Sequence, residues 1–242
     1  MTDADASSGA VAPNAIGTLN ERSVHDALKR RYAAGGDGEA ALEVPIDGFV
    51  ADVVQGGHLF EIQTSGFSRL KRKLPTLLRN HRVTLVHPIA EVRHIVKLPE
   101  DQDGETTRRR SPRRGAVVDV FAELVYMPTL LEHPRLTLDV VLIEEDEIRI
   151  FDGRRGRRRN GWVVVGRRLV EVRRTVSVGA MADLFALLSP KLPERFTTAD
   201  LAAAMRRPRR LGQQAAYCLH ACDVVQIVGK ERNAIVYARN RA

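Results

Sequence analysis

The sequence predicts an α/β protein in which a β-sheet flanked by helices is followed by a smaller C-terminal domain. Residues 42–54 alternate between faces as a strand does, and residues 83–89, VTLVHPI, form the near-continuous apolar run of a strand inside a covered sheet. From about residue 177 the pattern changes to short helices that a β-hairpin closes. A chain of 242 residues has room for two such domains.

The elements follow one another in a consistent order along the chain. A predicted helix at 18–33 has capping-box spacing between Thr18 and Glu21, and the GGDG segment at 35–38 ends it. Further predicted elements are a helix at 67–80 that Pro75 interrupts, a strand at 92–98, a helix at 116–132, a strand or hairpin pair at 136–151 and a β pair at 162–174. We therefore predict a disordered tail at 1–15, an α/β domain with an extension at 16–152, a basic loop and β linker at 153–176, and the C-terminal domain at 177–242.

The composition excludes several classes of protein. No apolar run approaches the roughly 18 residues of a membrane helix, and the acidic N-terminus lacks the basic start and apolar core of a signal peptide. Cys218 and Cys222 lie four residues apart on a predicted helix, which favours core positions over a disulfide framework. The sequence predicts a cytoplasmic protein with no membrane contact.

Arginine dominates the charge. Six of the 38 basic residues are Lys, the other 32 are Arg, and the net charge is +8. The arginines cluster at 108–114, 154–159, 167–174 and 206–210, in turns or near the ends of predicted elements. Such clusters predict polyanion binding. The alternative is a bias towards Arg along the whole chain, with solvated loops that carry the charge.

A predicted hairpin brings two acids together. If Gly56 and Gly57 form a two-residue turn, Val54 faces Leu59 and Asp52 faces Glu61. Side chains opposed in this way lie about 4.5–5.5 Å apart at Cβ, so the like charges repel. A divalent cation between the two carboxylates would remove the repulsion.

The chemistry of Mg²⁺ fits this pair. Mg²⁺ takes one or two carboxylates together with water and substrate phosphate, and Mn²⁺ substitutes for it. Asp52 and Glu61 supply the carboxylates, Ile62 a backbone carbonyl, and Lys71 and Lys73 on the next helix a positive charge. The plainer interpretation is an ordinary hairpin with polar residues on a solvated face.

The order Asp at a strand end, then Glu-x-Gln on the next strand, then a helix resembles the PD-(D/E)xK nuclease superfamily. The segments ADVV and LFEIQTSGFSRL look like the branch with Gln in the Lys position, as in CoiA-like proteins, and the resemblance covers roughly residues 17–98. It implies a restriction-endonuclease-like mixed sheet in which Asp52 and Glu61 bind the metal and Glu21 adds a ligand. Gln63 stands in the place of Lys and can only orient water and donate from its amide. A capping-box role explains Glu21 equally well.

The C-terminal region resembles a winged-helix domain. TTADLAAAM would be the first helix of its helix pair and RRLGQQAAYCLHAC the recognition helix. Arg clusters and a helix N-terminus both meet phosphate, and the first turns of a recognition helix read base edges. The predicted DNA contacts are Arg206, Arg207, Arg209, Arg210, Gln213 and Gln214, with Lys230 and Arg232 at the wing tip. The alternative is a small helical domain for protein contacts.

Together these patterns predict a cytoplasmic, Mg²⁺-dependent DNA endonuclease. Three alternatives stay open: a catalytically inactive DNA-binding protein that keeps the fold, a nuclease that acts on RNA, and a transcription regulator. The sequence leaves the DNA specificity and the pathway undetermined, and it leaves a homodimer open.

Overall fold

The computed structural model describes residues 23–36, 38–99, 105–152 and 160–240. The protein is an α/β structure with a large mixed sheet flanked by helices, as the sequence predicts, and a three-stranded sheet in the C-terminal segment. No helix in the described ranges is both long and apolar enough to cross a membrane.

The helices and strands have the following bounds. The helices are α1 (Val24–Ala34), α2 (Lys73–Leu77), α3 (Phe121–Leu124), α4 (Met181–Ala186), α5 (Thr198–Met205) and α6 (Arg209–Ala221). The strands are β1 (Ala40–Ile46), β2 (Phe49–Gln55), β3 (His58–Ile62), β4 (Arg82–Lys97), β5 (Thr107–Arg110), β6 (Leu136–Phe151), β7 (Trp162–Val178), β8 (Arg195–Thr197), β9 (Val225–Glu231) and β10 (Ala234–Arg239). Short 3-10 helices lie before α2 and on both sides of α3.

The main sheet has the strand order β1-β2-β3-β4-β6-β7, with β5 paired to β4. Strands β1 to β3 form an antiparallel meander, β3, β4 and β6 run parallel, and β7 returns antiparallel at the edge. The predicted hairpin register is confirmed for the pair Val54–Leu59, but the ladder ends at Val53–Phe60 and does not include the predicted pair of Asp52 and Glu61. Gly56 and Gly57 have φ of 56° and 78°, which a two-residue turn of this kind requires.

Two predicted strand boundaries are wrong. The segment 42–54 is not one strand but the hairpin of β1 and β2, which turns at Asp47 and Gly48 with φ of 50° and 79°. Asp-Gly is itself a hairpin signal because both residues tolerate positive φ. The turn leaves Val50 52% exposed, so Val50 is not a core residue. Conversely, 83–89 and 92–98 form the single strand β4, with a register shift between Ala90 and Val92.

The segment expected to be a β linker belongs to the main sheet. Strand β7 pairs with β6 along nearly its whole length, from Phe151–Trp162 to Leu138–Val178. The pairing is possible because 136–151 is one long strand and not a hairpin pair. The predicted tail at 1–15, Glu21 and the arginine cluster at 154–159 lie outside the described residues.

Each face of the main sheet packs against helices. On one face Val24 and Leu28 of α1 pack against Val53, Val86 and Val141. On the other face the larger core continues without a break into the C-terminal helices, where α3 packs on α6. Cys218 is buried in that core, and both cysteines are free.

The C-terminal segment has the element order α4, β8, α5, α6 and then the hairpin β9–β10, with the sheet order β8-β10-β9. Thr197 caps the N-terminus of α5, because its hydroxyl accepts from the N–H groups of Ala199 and Asp200. Helices α5 and α6 pack closely at Gly212, where an added Cβ would lie 2.3 Å from the Thr198 carbonyl oxygen. The assignment of this segment to the winged-helix class stays a prediction.

Candidate functional site

The end of the β2–β3 ladder positions the first acid. The ladder extends to the pair Val53–Phe60. Just beyond it the Asp52 carboxylate accepts the N–H of Ile62 at 2.9 Å, so a side chain replaces a backbone acceptor. Ile62 pairs on its other side with Val86 of the parallel strand β4. The Asp52 carboxylate is therefore held at the end of the hairpin ladder, with 18% of the side chain exposed.

Glu61 is the second acid and is 3% exposed. It forms an ion pair with Lys73 at the start of α2, and Lys73 Nζ also donates to the Val50 carbonyl at 2.6 Å. The other carboxylate oxygen, Oε1, is buried and has no hydrogen-bond partner among the described residues. Burial raises the pKa of Glu61 to about 7; Lys73 opposes that shift and the charge of Asp52 adds to it.

Helix α1 brings a histidine and a lysine to Asp52. His25 Nε2 lies 3.4 Å from Asp52 Oδ2, and Lys29 Nζ lies 3.8 Å from Oδ1. Lys29 is only 7% exposed and also binds Glu43 Oε1 at 2.6 Å. Burial by itself would raise the pKa of Asp52, but the hydrogen bonds from His25 and the Ile62 N–H outweigh it and the pKa is lowered. The same contact with Asp52 raises the pKa of His25.

The sequence reasoning missed both α1 residues. His25 and Lys29 are spaced i, i+4, and Tyr32 continues the row at i+7, beside the apolar row of Val24 and Leu28. The signal in the sequence that these residues contact another part of the protein is this polar row next to the apolar stripe of the helix. It does not reveal its partner, because the contact depends on how α1 packs on the sheet.

Gln63 and Lys71 do not reach the carboxylates. The Gln63 amide donates to the Ser65 carbonyl, and the Gln63 carbonyl accepts from His87 Nδ1 at 2.7 Å. The Gln63 side chain therefore folds back onto its own loop. Lys71 is exposed, and its Nζ lies 6.0 Å from the centre of the Tyr126 ring. Of the two lysines expected from sequence, Lys73 alone contacts an acid of the pair.

The donor set fits a hard divalent cation. The Asp52 carboxylate and the free oxygen of Glu61 are the carboxylate donors here, and Mg²⁺ needs only one or two carboxylates besides water and phosphate. Among the described residues, no contact of the Ile62 carbonyl places it with these donors. The described part of the chain contains no group of three or more His, Cys, Asp or Glu side chains that could hold a metal. A cation here would rely on substrate and water for its other ligands.

A groove of about 850 Å³ opens next to His25, the α1 neighbour of Asp52. We call it the arginine groove, because five arginines line it: Arg93, Arg113, Arg114, Arg167 and Arg207. His25 and Thr64 line the end near the carboxylates, and Pro208 lines the wall formed by the C-terminal segment. The groove thus lies between the main sheet and the turn from α5 to α6.

The acids of the arginine groove already have partners. Asp119 binds Arg207, and Glu123 accepts the N–H groups of Gly66 and Phe67 at 2.9 Å each. Glu145 accepts from Arg93 at 2.6 Å. The net charge of the groove is positive.

The predicted DNA contacts fall into two groups. Arg207 binds Asp119 through two nitrogens, at 2.5 and 2.9 Å, and donates to the Arg114 carbonyl, so it joins the C-terminal segment to the groove wall. That contact is fixed within the protein, and Arg207 is less available to DNA than its position in the Arg cluster suggested. The others lie at the surface: Arg206, Arg209, Arg210, Gln213, Lys230 and Arg232 are exposed, and Gln214 is half-buried.

The fold and the site define an α/β protein with a mixed sheet that carries the buried carboxylate of Glu61, the partly exposed carboxylate of Asp52 and a cationic groove lined by His25. The chain belongs to the family DUF8091, a domain of unknown function that matches residues 22–179. An uncharacterized protein of Treponema pallidum (strain Nichols) is 36% identical over 189 residues, which cover 77% of this chain and 73% of that protein. No solved structure matches the chain.

Proposed function

We propose that the protein is a divalent-metal-dependent nuclease that hydrolyses phosphodiester bonds of DNA at Asp52 and Glu61. The observation that carries the proposal is the Glu61 carboxylate, which is 3% exposed and leaves Oε1 without a donor among the described residues. An unsatisfied buried acceptor costs about 1–3 kcal/mol, and more when it is charged. A cation bound between Glu61 and Asp52 would offset that cost.

Two further features support the proposal. The chain order is helix α1, the antiparallel strands β1 to β3, helix α2 and the parallel strand β4, with Asp52 in the middle of β2 and Glu61 one residue before the end of β3. This agrees with the order that the PD-(D/E)xK resemblance implies. In addition, the exposed Arg206, Arg209 and Arg210 lie around the start of α6, where DNA phosphates could be bound.

In this proposal each residue of the site has a distinct role. Asp52 and Glu61 hold the metal, which when bound lowers the pKa of its water and offsets charge on the reacting phosphate. Lys73 balances the charge of Glu61 and holds its side chain towards Val50. His25 and Lys29 fix the orientation of the Asp52 carboxylate from α1.

The test compares DNA cleavage by variants of Asp52 and Glu61 with cleavage by a variant of Asp47, an acid in the neighbouring β1–β2 turn. Glu61→Gln and Asp52→Asn should each reduce Mg²⁺-dependent cleavage of plasmid and linear DNA to the level of a metal-free control, because a single carboxylate holds the cation weakly against competing phosphate. Asp47→Asn is the matched control, since Asp47 lies in the β1–β2 turn beside His81 and away from the pair. Calorimetric titration with Mn²⁺ should show binding to the wild type and a large loss in both site variants. Cleavage at the wild-type rate by either variant would place the active site elsewhere.

A specific observation favours a second candidate, a nucleic-acid-binding protein that has lost catalysis. Asp52 and Glu61 each have a lysine neighbour, Lys29 and Lys73, so the pair is partly neutralised without a metal. Retarded migration of DNA without cleavage, together with no Mn²⁺ binding, would establish this candidate.

A further inference from the structure

We infer that the arginine groove binds the sugar–phosphate backbone of a single nucleic-acid strand and leads that strand to Asp52 and Glu61. The inference rests on the proposed function in one respect, because it takes nucleic acid to be the substrate. It goes further in naming the part of the protein that holds the substrate and the form in which the substrate enters.

The groove approaches Asp52 through His25. His25 lines the groove, and its Nε2 is 3.4 Å from Asp52 Oδ2. Thr64, one residue after Gln63, lines the same end. The loop that carries Thr64 is anchored by Glu123, which accepts the N–H groups of Gly66 and Phe67. A phosphate at this end of the groove would therefore lie one side chain away from Asp52.

Two arginines of the groove are free to bind phosphate. Arg113 and Arg114 are exposed, and neither guanidinium makes a hydrogen bond or ion pair with another described residue. Arg93, Arg167 and Arg207 add positive charge but are engaged with acids. Guanidinium groups bind phosphate oxygens in a bidentate manner, so the unpaired arginines are the expected primary contacts.

The shape of the groove favours one strand over a duplex. Its lining comes from the main sheet on one side and from the α5–α6 turn on the other. Hydrogen bonds fix the walls of the groove in place. The Gly115 N–H donates to the Ala90 carbonyl at 2.8 Å, and Arg207 binds Asp119. An added Cβ at Gly115 would lie 2.4 Å from Ile89 Cγ2, so the chain there has no room to move inwards. A fixed groove of 850 Å³ has room for a few nucleotides of one strand, so we expect a single strand rather than a duplex to enter it.

The contacts should be made to the backbone and not to the bases. The described residues that line the groove include no Phe, Tyr or Trp on which a base could stack, in contrast to the aromatic platforms of many single-strand binders. Binding should therefore tolerate any sequence and depend strongly on salt.

The experiment measures binding by fluorescence anisotropy in EDTA, which prevents cleavage. The probes are a labelled, unstructured DNA strand and the duplex of the same sequence, each at about 50 and 200 mM salt. The double variant Arg113→Ala, Arg114→Ala should bind the strand more weakly. The slope of log K against log salt should shrink by about 1.4, because each phosphate contact on a single strand contributes about 0.7. The matched control is Arg109→Ala, Arg110→Ala, which removes the same charge from exposed residues of β5 outside the groove and should keep the wild-type slope.

The outcomes separate this inference from the proposed function. An unchanged slope in the groove variant would overturn the inference, as would a loss of duplex affinity as large as the loss for the strand. If the wild type binds the strand through the groove but cuts neither probe when Mg²⁺ is added, the groove assignment holds and the nuclease proposal fails. If the wild type cuts DNA and the groove variant binds and cuts normally, the nuclease proposal holds and the groove assignment fails.

Discussion

Two sets of buried carboxylates lie in the main sheet, and they are balanced very differently. On β6, Glu145, Asp146 and Glu147 are 4%, 1% and 2% exposed, comparable to Glu61 at 3%. Asp146 binds Arg108 and Arg168 at 3.0 and 2.5 Å, and Glu147 binds Arg149 at 2.5 Å. Burial favours the neutral acids, but the arginines outweigh it and lower the pKa of Asp146 and Glu147.

Glu61 is the opposite case, because one lysine does not outweigh its burial and its pKa is raised to about 7. The comparison shows that a buried acid does not mark a functional site by itself. A fully paired cluster such as the one on β6 has the character of a structural network, whereas an incompletely paired acid stores unfavourable free energy that a ligand can release.

The largest expected effect separates the two lysines of the α2 region. Lys73→Met should lower the rate of Mg²⁺-dependent DNA cleavage on the order of 100-fold, as the loss of one preorganised charged group in an active site does. Lys71→Met should leave the rate unchanged, because Lys71 lies over the Tyr126 ring and contacts neither acid. Steady-state cleavage assays of the two variants, with circular dichroism to confirm folding, would check this. Equal rates for both variants would show that Lys73 has no part in the reaction.

A smaller effect concerns stability. Asp146→Ala should lower the free energy of unfolding by about 1–3 kcal/mol, because charge-assisted hydrogen bonds to two arginines are lost while the half-exposed arginines regain water. Glu61→Gln should leave the free energy of unfolding unchanged or raise it, since Gln resembles the neutral form that burial already favours. Urea unfolding at pH 7 in EDTA measures both. A larger loss in the Glu61 variant would reverse the comparison.

The smallest effect is a difference in the sign of the pH dependence. Because the pKa of Asp146 is lowered on folding, its contribution is present above the ordinary carboxylate range of about 4 and is lost as the pH falls through the folded value. Because the pKa of Glu61 is raised to about 7, its contribution is present below that ordinary range and is lost as the pH rises through about 7. In metal-free buffer, the free energy of unfolding of Glu61→Gln should fall less steeply than that of the wild type between about pH 5 and 8. The free energy of unfolding of Asp146→Ala should fall less steeply than that of the wild type below about pH 4. Parallel curves for wild type and variants would contradict both assignments.

Local patterns in the sequence predicted the centre of the site. The Gly56-Gly57 turn and the two-residue period of strands were enough to place Val54 opposite Leu59. They did not show that the ladder ends at Val53–Phe60, before the predicted pair of Asp52 and Glu61. The same rule applied to Asp47-Gly48 would have divided the segment 42–54 into two strands. The sequence predicted that Lys71 or Lys73 contacts the acids. Which of the two does so depends on where α2 begins and on the direction in which each side chain leaves the helix.

Contacts between distant segments could not be read from the sequence. Arg207 and Asp119 are 88 residues apart, and nothing near either residue indicates the other. The pairing of His25 and Lys29 with Asp52 depends on the docking of α1, and the pairing of the β6 acids depends on the register of β4, β5 and β7. Such contacts are set by packing geometry, which a single sequence does not encode locally.

The unbroken core between the main sheet and the C-terminal helices bears on how the protein is made. Phe121 and Leu124 share that core with Leu211 and Ala215, which the ribosome adds about 90 residues later. Until those residues emerge, the nascent sheet exposes apolar side chains and lacks the Arg207 wall of the arginine groove. The carboxylate hairpin is thus synthesised early, while the surface that would deliver nucleic acid to it is completed last.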